Sequence, residues 1–382
     1  MKRVSFFSDR LVAWQRSSGR HGLPWQNTRD PYRVWLSEIM LQQTQVKTVL
    51  GYYARFLEVF PSVDALAHAS VDEVMPLWSG LGYYSRARNL HRAAQMVVAQ
   101  FNGQFPSDPD LLVQLPGVGR STAHAIAAFC FGVQRSIFDA NVQRVMARYL
   151  GFEEDLASAS AIKTLWAKAE ALVPKQDGVN AMPAYTQGLM DLGATVCTSK
   201  RAHCGACPVA GDCQARLKQL THVLPRKTRK LKRSSSTWYW LVLCRDQHHQ
   251  CDSQSSIALP QLALHKRPDK GIWAQLYAFP TFEDEAALLL AWQNLGGQAG
   301  GLDWQPGFRH VLTHKDLNLV PVVAQLPSQA APSVQMVGHG DMPLGHLEWV
   351  DVDQLIQGRW ALPAPLLAWL KHSTFADTDK MC

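Results

Sequence analysis

Residues 1–221 carry apolar positions with the period of an α-helix. In VWLSEIMLQQTQV (34–46) and NVQRVMARYL (141–150), apolar residues recur three and four positions apart, which puts them on one face of a helix. Proline and small polar residues in FPSVDAL (60–66) and FPSDPDLL (105–112) are typical of helix starts. This part of the chain therefore predicts an all-α domain built from many helices.

The pattern changes near residue 237, where short runs rich in aromatic and branched residues begin. We expect strands at TWYWLVLC (237–244), LYAFP (276–280) and LNLVPVVAQL (317–326), and helices at LEWVDVDQLI (347–356) and APLLAWLKH (364–372). The predicted organisation is multidomain. It comprises a helical domain (1–221), a basic, solvated linker (222–236), an α/β domain (237–370) and a C-terminal tail (371–382).

Charge is distributed unevenly along the chain. Residues 1–236 hold 29 Lys and Arg against 17 Asp and Glu, whereas residues 237–382 hold 9 against 14. A basic domain favours a polyanion such as DNA, because binding phosphates releases condensed counterions, although such charge also serves solubility. No apolar run approaches the roughly 18 residues that a membrane span needs, and the amphipathic start is unlike a signal peptide. We therefore expect a soluble cytoplasmic protein, without a membrane partner.

Four cysteines, Cys197, Cys204, Cys207 and Cys213, are separated by six, two and five residues. Structural zinc sites more often use two close pairs that lie about a dozen or more residues apart. One CxxC flanked by single cysteines is better suited to four thiolates around an iron–sulfur cluster. The spacing favours the cluster over zinc and leaves both open, with a structural role in either case.

The motif LPGVGRSTAHA (115–125) lies between two helical segments. A nucleotide-binding P-loop needs four residues between its glycines, followed by Gly-Lys-Ser/Thr, and this motif has neither. Gly117 and Gly119 instead predict a helix–hairpin–helix turn, whose amides at a helix N-terminus bind a DNA phosphate without reading sequence. A plain helix-packing turn is the alternative.

Asp139 lies twenty residues after Gly119, immediately before a periodic helix. We expect its carboxylate to cap that helix by accepting backbone N–H bonds. Capping is compatible with a catalytic role, because it holds the carboxylate ionised and fixed, as the stabilisation of a developing cation requires.

These features together resemble the helix–hairpin–helix base-excision DNA glycosylases. LPW at 23–25, DPYRVWLSEIMLQQTQV (30–46) and LWSGLGYYSRARNL (77–90) are similar, more specifically, to the adenine DNA glycosylase (MutY) family, and the resemblance extends from about residue 5 to 370. It implies a double-stranded DNA partner that carries adenine opposite 8-oxoguanine, guanine or cytosine. It also implies one [4Fe–4S] cluster on the four cysteines, action as a monomer and association with the nucleoid.

The resemblance also implies the chemistry. Cleaving a purine N-glycosidic bond requires an acid for the leaving base and a carboxylate facing the sugar. Glu38 is implied to protonate N7 of a flipped-out adenine, with Trp35, Ile39 and Leu41 raising its pKa by desolvation. Asp139 is implied to stabilise the sugar cation or its covalent adduct, after which water completes the hydrolysis.

DNA contacts follow from the same resemblance. Wedge residues that enter the base stack and offset the cost of base extrusion are implied at Gln43, Thr44, Leu81 and Tyr83, and hairpin contacts at Gly117, Gly119, Arg120 and Ser121. In bifunctional relatives such as endonuclease III, a lysine at the position of Ser121 attacks the sugar. Serine cannot form a Schiff base, so we expect a monofunctional glycosylase.

Residues 237–370 resemble the Nudix-like C-terminal domain of that family, through KRPDKGIWAQLYAFP (266–280), FRHVLTHKDLNL (308–319) and ALPAP (361–365). A Nudix hydrolase needs a glutamate-rich helix to bind magnesium, and AALLLAWQNLGG (286–297) has no carboxylate. We therefore expect recognition of the opposite base rather than pyrophosphate hydrolysis, with Thr313 and His314 in the probing loop. Leu312-Thr313-His314 replaces the family's common Phe-Ser-His, and Gln275 replaces a common glycine.

Two alternative functions stay open at this point. The first is a bifunctional, endonuclease III-like glycosylase/lyase, against which Ser121 argues. The second is a non-catalytic DNA-binding protein that uses the hairpin and the cysteine loop as a scaffold. The joint occurrence of Glu38 and Asp139 argues against it.

Overall fold

The computed structural model describes residues 6–175, 178–228, 232–245, 260–326 and 347–376. The chain divides into two compact units, of which the first comprises residues 1–69 and 89–230 and the second residues 70–88 and 231–382. Residues 70–88 therefore lie within the helical part of the sequence but fold with the C-terminal part.

The helices are numbered in chain order. They are α1 (Phe7–Ser18), α2 (Pro31–Leu41), α3 (Val46–Val59), α4 (Val63–His68), α5 (Val71–Trp78), α6 (Ser85–Phe101), α7 (Pro109–Leu112), α8 (Arg120–Phe131), α9 (Ala140–Leu150), α10 (Ala159–Glu170), α11 (Gly178–Asp191), α12 (Gln214–Leu217), α13 (Glu285–Asn294), α14 (Val352–Ile356) and α15 (Ala364–His372). Within the described ranges, no helix is long and apolar enough to cross a membrane.

Side-chain caps begin several helices of the first unit, as the sequence predicts. Asp30 accepts the Tyr32 N–H at the start of α2, Ser62 caps α4 and Asp108 caps α7. Each cap satisfies a backbone N–H that has no partner within its helix. The predicted helix starts at 60–66 and 105–112 are therefore confirmed.

The core of the first unit joins α1, α8, α9, α10 and α11, through buried residues such as Leu11, Val142 and Leu165. Helix α1 packs closely on α11, because a Cβ on Gly188 would lie only 3.0 Å from Leu11 Cγ. This packing fixes the wall of the cavity described below.

The described residues of the second unit form a mixed sheet of eight strands. They are β1 (Ser234–Arg245), β2 (Gln261–Lys266), β3 (Tyr277–Ala278), β4 (Thr281–Phe282), β5 (Leu302–Trp304), β6 (Phe308–Val311), β7 (Lys315–Gln325) and β8 (Glu348–Asp351). The order β3-β2-β1-β7-β5 forms the main path, with β4 on β1, β6 on β7 and β8 on β2. Among the described strands, β1 and β7 are the one parallel pair, from Ser234↔Lys315 to Cys244↔Gln325. Helix α13 packs on the sheet through Leu288 and Trp292, so the predicted α/β class is confirmed.

One prediction of secondary structure was wrong. The sequence analysis expected a single helix over 347–356, but Glu348–Asp351 forms strand β8 and only Val352–Ile356 is helical. Strand β8 pairs antiparallel with β2, with Val350 opposite Leu262. Val350 is 3 % exposed, so pairing with an available sheet edge outweighs the helical spacing of this short run.

The tract at 222–236, predicted to be a solvated linker, is exposed over most of its described residues and makes contacts at both ends. The Leu224 carbonyl accepts a hydrogen bond from Arg148 Nε at 2.9 Å, and Arg226 pairs with Glu153 at 2.9 Å. At the other end, Ser234 to Ser236 already belong to β1. Backbone and charge pairing therefore hold both ends of this basic tract in place.

Candidate active site

A cavity of about 570 Å³ opens in the first unit. Helix α1, helix α2, helix α11 and the loop between α1 and α2 form its walls. A cavity of this size is typical of a small-molecule site and accommodates a single base. The charged and polar side chains of its lining include Arg16, Arg20, His21, Arg29, Glu38 and Gln187.

Glu38 lies on α2 and lines this cavity. Its neighbours Trp35 and Ile39 are buried, with 0 % and 2 % exposure. Burial, and after it the negative charge of Asp139, raises the pKa of the Glu38 carboxyl from the usual 4.5 to about 8. Most of the Glu38 side chains therefore hold a proton at neutral pH, as a general acid must.

Asp139 is the N-cap of α9. Its Oδ1 accepts the Val142 N–H at 2.8 Å, so the predicted capping role is confirmed. The side chain is exposed, and the charge of its carboxylate acts on Glu38. The two carboxyl groups therefore belong to one electrostatic system, with a half-buried neutral acid beside an exposed capping carboxylate.

Side chains bind both backbone groups of Phe138, the residue before Asp139. The Phe138 N–H donates to Ser121 Oγ at 2.8 Å, and the Phe138 carbonyl accepts from Gln143 Nε2 at 3.3 Å. The Phe138 ring stacks on Trp166, with centroids 5.0 Å apart. Ser121 thus has a structural task here, because it fixes the backbone next to Asp139.

The hairpin contains Gly117 and Gly119. Gly117 has φ +78° and a Cβ there would lie 2.9 Å from Asn89 Cβ, whereas Gly119 precedes α8 and has open space at its Cα. The exposed Arg120 guanidinium lies over the Trp166 ring, 4.3 Å from its centroid. A free helix N-terminus with open space beside it is suited to a phosphate.

Helix α9 is also bound to the cysteine loop. Arg144 Nε donates to the Cys197 carbonyl at 2.8 Å, and its Nη2 donates to the Gly193 carbonyl at 2.7 Å and to Asn141 Oδ1 at 2.9 Å. Between Asp191 and Cys197 the chain forms a single π-helical turn, Leu192–Val196. The cysteine loop therefore contacts the helix that Asp139 caps.

All four cysteines of the loop line one small pocket, together with apolar neighbours such as Val196 and Ala210. Burial, and after it the charges of the other three sulfurs, raise the pKa of the Cys207 thiol to about 11. Four thiolates can share this pocket only beside strong positive charge, which iron in a cluster supplies. Within the described ranges, no three His, Cys, Asp or Glu side chains are arranged to hold a single metal ion. An all-sulfur donor set of four cysteines fits an iron–sulfur cluster and is also compatible with zinc.

Leu81, Tyr83, Thr313 and His314 lie in the second unit. Leu81 and Tyr83 belong to the loop between α5 and α6, and Thr313 and His314 lie at the tip of the β6–β7 hairpin. The Tyr83 hydroxyl is 2.5 Å from Thr313 Oγ1. The structure therefore brings together two of the residues that the resemblance assigned to opposite-base contacts.

Arg86 organises the loop before α6, and the sequence analysis missed it. The side chain is 7 % exposed, and its Nη2 donates to the carbonyls of Leu81 and Gly82 at 3.3 and 3.2 Å. Its guanidinium lies over the rings of Trp78 and Tyr83, and burial lowers its pKa to about 10. Nothing in the sequence distinguishes a buried arginine from a solvated one.

Three non-glycine residues named from the sequence have a left-handed backbone: Gln43 (φ 58°), Tyr83 (φ 48°) and Gln275 (φ 61°). Such a conformation costs about 1–2 kcal/mol without glycine. A glycine at position 275 would avoid this cost, because it has no Cβ. At Gln43 and Tyr83, both exposed, the strain falls on two residues implied to wedge into DNA, and strained backbone is common at functional sites.

Comparison with known proteins identifies the class first. Residues 36–170 match the HhH-GPD superfamily base excision DNA repair protein family, and residues 258–372 match the NUDIX domain family. The fold and the hairpin therefore define a base-excision DNA repair protein with an appended Nudix-like domain.

The particular family follows from full-length relatives. The chain is 34% identical over 316 residues to the adenine DNA glycosylase of Buchnera aphidicola subsp. Baizongia pistaciae, covering 83% of this chain and 85% of the relative. It is 32% identical over 321 residues to that of Buchnera aphidicola subsp. Acyrthosiphon pisum, covering 84% and 87%. It is also 43% identical over 223 residues to human adenine DNA glycosylase, covering 56% and 40%. The chain belongs to the adenine DNA glycosylase family and is a DNA N-glycosylase of base-excision repair.

Proposed function

We propose that this protein removes adenine opposite 8-oxoguanine, and also opposite guanine or cytosine, by hydrolysing the N-glycosidic bond in duplex DNA. One observation carries the proposal. Glu38 lines a cavity large enough for a base, and its pKa of about 8 keeps a proton available at neutral pH. Protonation of the leaving base is the step that a purine glycosidic bond most needs.

The proposed reaction begins when adenine leaves the base stack and enters the cavity. Glu38 donates its proton to N7, so that the base leaves neutral while the C1′–N9 bond breaks. The sugar develops an oxocarbenium charge, which the carboxylate of Asp139 stabilises. Water then adds to C1′ and gives up a proton to the Glu38 carboxylate, which restores the acid and completes the hydrolysis.

We further propose that the enzyme is monofunctional. A lyase of the endonuclease III kind attacks C1′ with a lysine amine, whereas this chain has Ser121, whose hydroxyl accepts the Phe138 N–H. Strand cleavage is therefore expected only after alkali treatment of the abasic product.

Cys197, Cys204, Cys207 and Cys213 are proposed to hold one [4Fe–4S] cluster. When bound, the cluster ties the loop covalently and supplies the positive charge that four thiolates need. We expect about four iron atoms per chain in the purified protein. Cys204→Ser is expected to lose them while Cys130→Ser, outside the loop, keeps them; full iron in Cys204→Ser would contradict the assignment.

Recognition of the opposite base is proposed for the second unit, where Tyr83 meets Thr313. Leu81 and His314 complete this set, and Gln43 and Thr44 are proposed as further wedges from the first unit. The enzyme is proposed to act as a monomer on the nucleoid of the cytoplasm.

The first test is single-turnover base release from a duplex with adenine opposite 8-oxoguanine. The wild-type protein is expected to release adenine, with strand breaks only after alkali. Glu38→Gln is expected to lose at least about a hundredfold in rate, whereas Glu153→Gln, the same change at an exposed ion pair, keeps the wild-type rate. An unchanged rate of adenine release from Glu38→Gln would contradict the proposed mechanism. Breaks without alkali would support the bifunctional alternative, and tight binding without release the non-catalytic one.

A further inference from the structure

We propose that one side chain, Trp166, supports both the DNA contact of the hairpin and the placement of Asp139; this rests on the proposed function. Trp166 lies on α10. Its ring stacks on the Phe138 ring, with centroids 5.0 Å and planes 18° apart, and Phe138 directly precedes Asp139. The Arg120 guanidinium lies over the same Trp166 ring, with Cζ 4.3 Å from its centroid. The ring therefore contacts the arginine of the hairpin and the segment that carries the carboxylate.

The contact with Trp166 prepares Arg120 for a phosphate. Arg120 is exposed and is the first residue of α8, at a helix N-terminus that attracts anions. An aromatic ring attracts a guanidinium through the negative charge of its face, which occupies none of the N–H donors. The ring also limits the motion of a long side chain, which lowers the entropy that phosphate binding costs. Removing the ring is therefore expected to weaken DNA binding through Arg120.

Trp166 also binds the backbone before Phe138. Its Nε1 donates to the Ser136 carbonyl at 3.3 Å, and His124 Nδ1 of α8 donates to the same carbonyl at 2.8 Å. The Ser136 N–H donates to Glu170 Oε2 of α10 at 3.0 Å. Ser136 is 0 % exposed, so water does not replace a lost partner. Helices α8 and α10 therefore hold the segment from Ser136 to Phe138.

These contacts bear on the reaction because of where the segment ends. Asp139 has to lie close to C1′ of the sugar in the proposed mechanism, and a displacement of about 1 Å can cost about a hundredfold in rate. The bond from the Val142 N–H fixes the carboxylate from the side of α9. Phe138, stacked on the Trp166 ring, fixes the chain from the other side. Trp166 acts through Phe138 and Ser136, so it is a positioning residue.

Two substitutions of Trp166 separate its contributions. Trp166→Phe keeps an aromatic face for Arg120 but removes the N–H that binds Ser136. It is expected to keep duplex affinity within about twofold and to slow single-turnover release of adenine at saturating enzyme about fivefold. Trp166→Leu also removes the ring and is expected to weaken affinity about fivefold in addition. Trp304→Phe and Trp304→Leu make the same changes at a tryptophan that is 40 % exposed and are expected to keep both values.

The affinity measurement uses filter binding to a duplex in which a 2′-fluorine on the adenosine destabilises the sugar cation and so prevents base release. In a double-mutant cycle, the affinity loss from Trp166→Leu is expected to fall from about fivefold to less than about twofold in an Arg120→Gln background, because the ring acts on DNA through that arginine. Equal losses in both backgrounds would overturn the proposal, since general damage to the fold weakens binding with or without Arg120.

The rate measurement tests the placement of Asp139. An unchanged saturating rate in Trp166→Phe would overturn this part of the proposal, and this variant serves even if Trp166→Leu does not fold. If the wild-type protein releases no adenine at all, the proposed function fails first. The double-mutant cycle then still tests the contact of Trp166 with Arg120, because it measures binding and not release.

Discussion

Replacing Glu38 with glutamine is expected to stabilise the folded protein at high pH while it slows base release at least about a hundredfold. The folded protein raises the pKa of Glu38 from 4.5 to about 8. Between these two values, the folded state holds a proton that the unfolded state has lost. Stability therefore falls as the pH rises from 4.5 toward 8, because the unfolded state binds fewer protons than the folded state.

The size of the effect follows from the same pKa values. A shift of this extent makes the folded wild-type protein less stable by about 3 kcal/mol at pH 8 than at pH 5, through Glu38 alone. Glutamine does not titrate, so the variant lacks this loss. The free energy of unfolding of Glu38→Gln, relative to the wild-type protein, is therefore expected to rise by about 3 kcal/mol between pH 5 and pH 8.

Urea unfolding followed by tryptophan fluorescence at both pH values measures this difference. Glu153→Gln makes the same chemical change at an exposed residue and is expected to differ from the wild-type protein by less than about 1 kcal/mol at either pH. The reasoning would be refuted if the difference in free energy of unfolding between Glu38→Gln and the wild-type protein stayed constant between pH 5 and pH 8. It would mean that the folded protein does not hold a protonated acid at Glu38.

Three further predictions concern the rate and the hairpin. The single-turnover rate of base release should be constant below about pH 8 and should fall tenfold per pH unit above it, because only protonated Glu38 can donate a proton to the base. Rates measured over a pH series check this, and a constant rate up to pH 10 would contradict Glu38 as the acid. Ser121→Ala should slow single-turnover base release at saturating enzyme about tenfold, because it leaves the Phe138 N–H without its acceptor; an unaltered rate would remove Ser121 from the positioning of Asp139. Gly117→Ala should weaken duplex binding about tenfold in a filter-binding assay, because its φ of +78° and a 2.9 Å contact with Asn89 distort the hairpin; equal affinity would show that the hairpin tolerates a side chain.

The sequence was a good guide where a structural element depends on near neighbours. Asp139 as a helix cap and Gly117 in a left-handed turn both follow from a few adjacent residues, and the structure has both. Strand β8 shows the limit, because its pairing partner β2 lies far away in the chain. Short apolar runs suit either a strand or a helix, and only the available sheet edge decides between them.

The candidate site was predictable in part, for the same reason. Glu38 could be named from its motif, but its pKa depends on burial and on a charge at residue 139. Arg20 and Gln187 were missed, since only the folded chain brings them to Asp191. Arg86 was missed because its burial arises from packing against aromatic rings. Pocket walls that combine distant segments leave no periodic signal in a single sequence.

Residues 70–88 have a consequence for protein engineering. They stand in the helical half of the sequence, yet Ser79 and Tyr84 donate their hydroxyls to the Leu362 carbonyl at 3.1 and 3.2 Å, and Arg88 donates to the Ala274 carbonyl. A truncation that removes the C-terminal half also deletes the acceptors that anchor this stretch. A chimera that exchanges recognition domains between relatives must therefore transplant two separate pieces of gene, one of them only nineteen codons long.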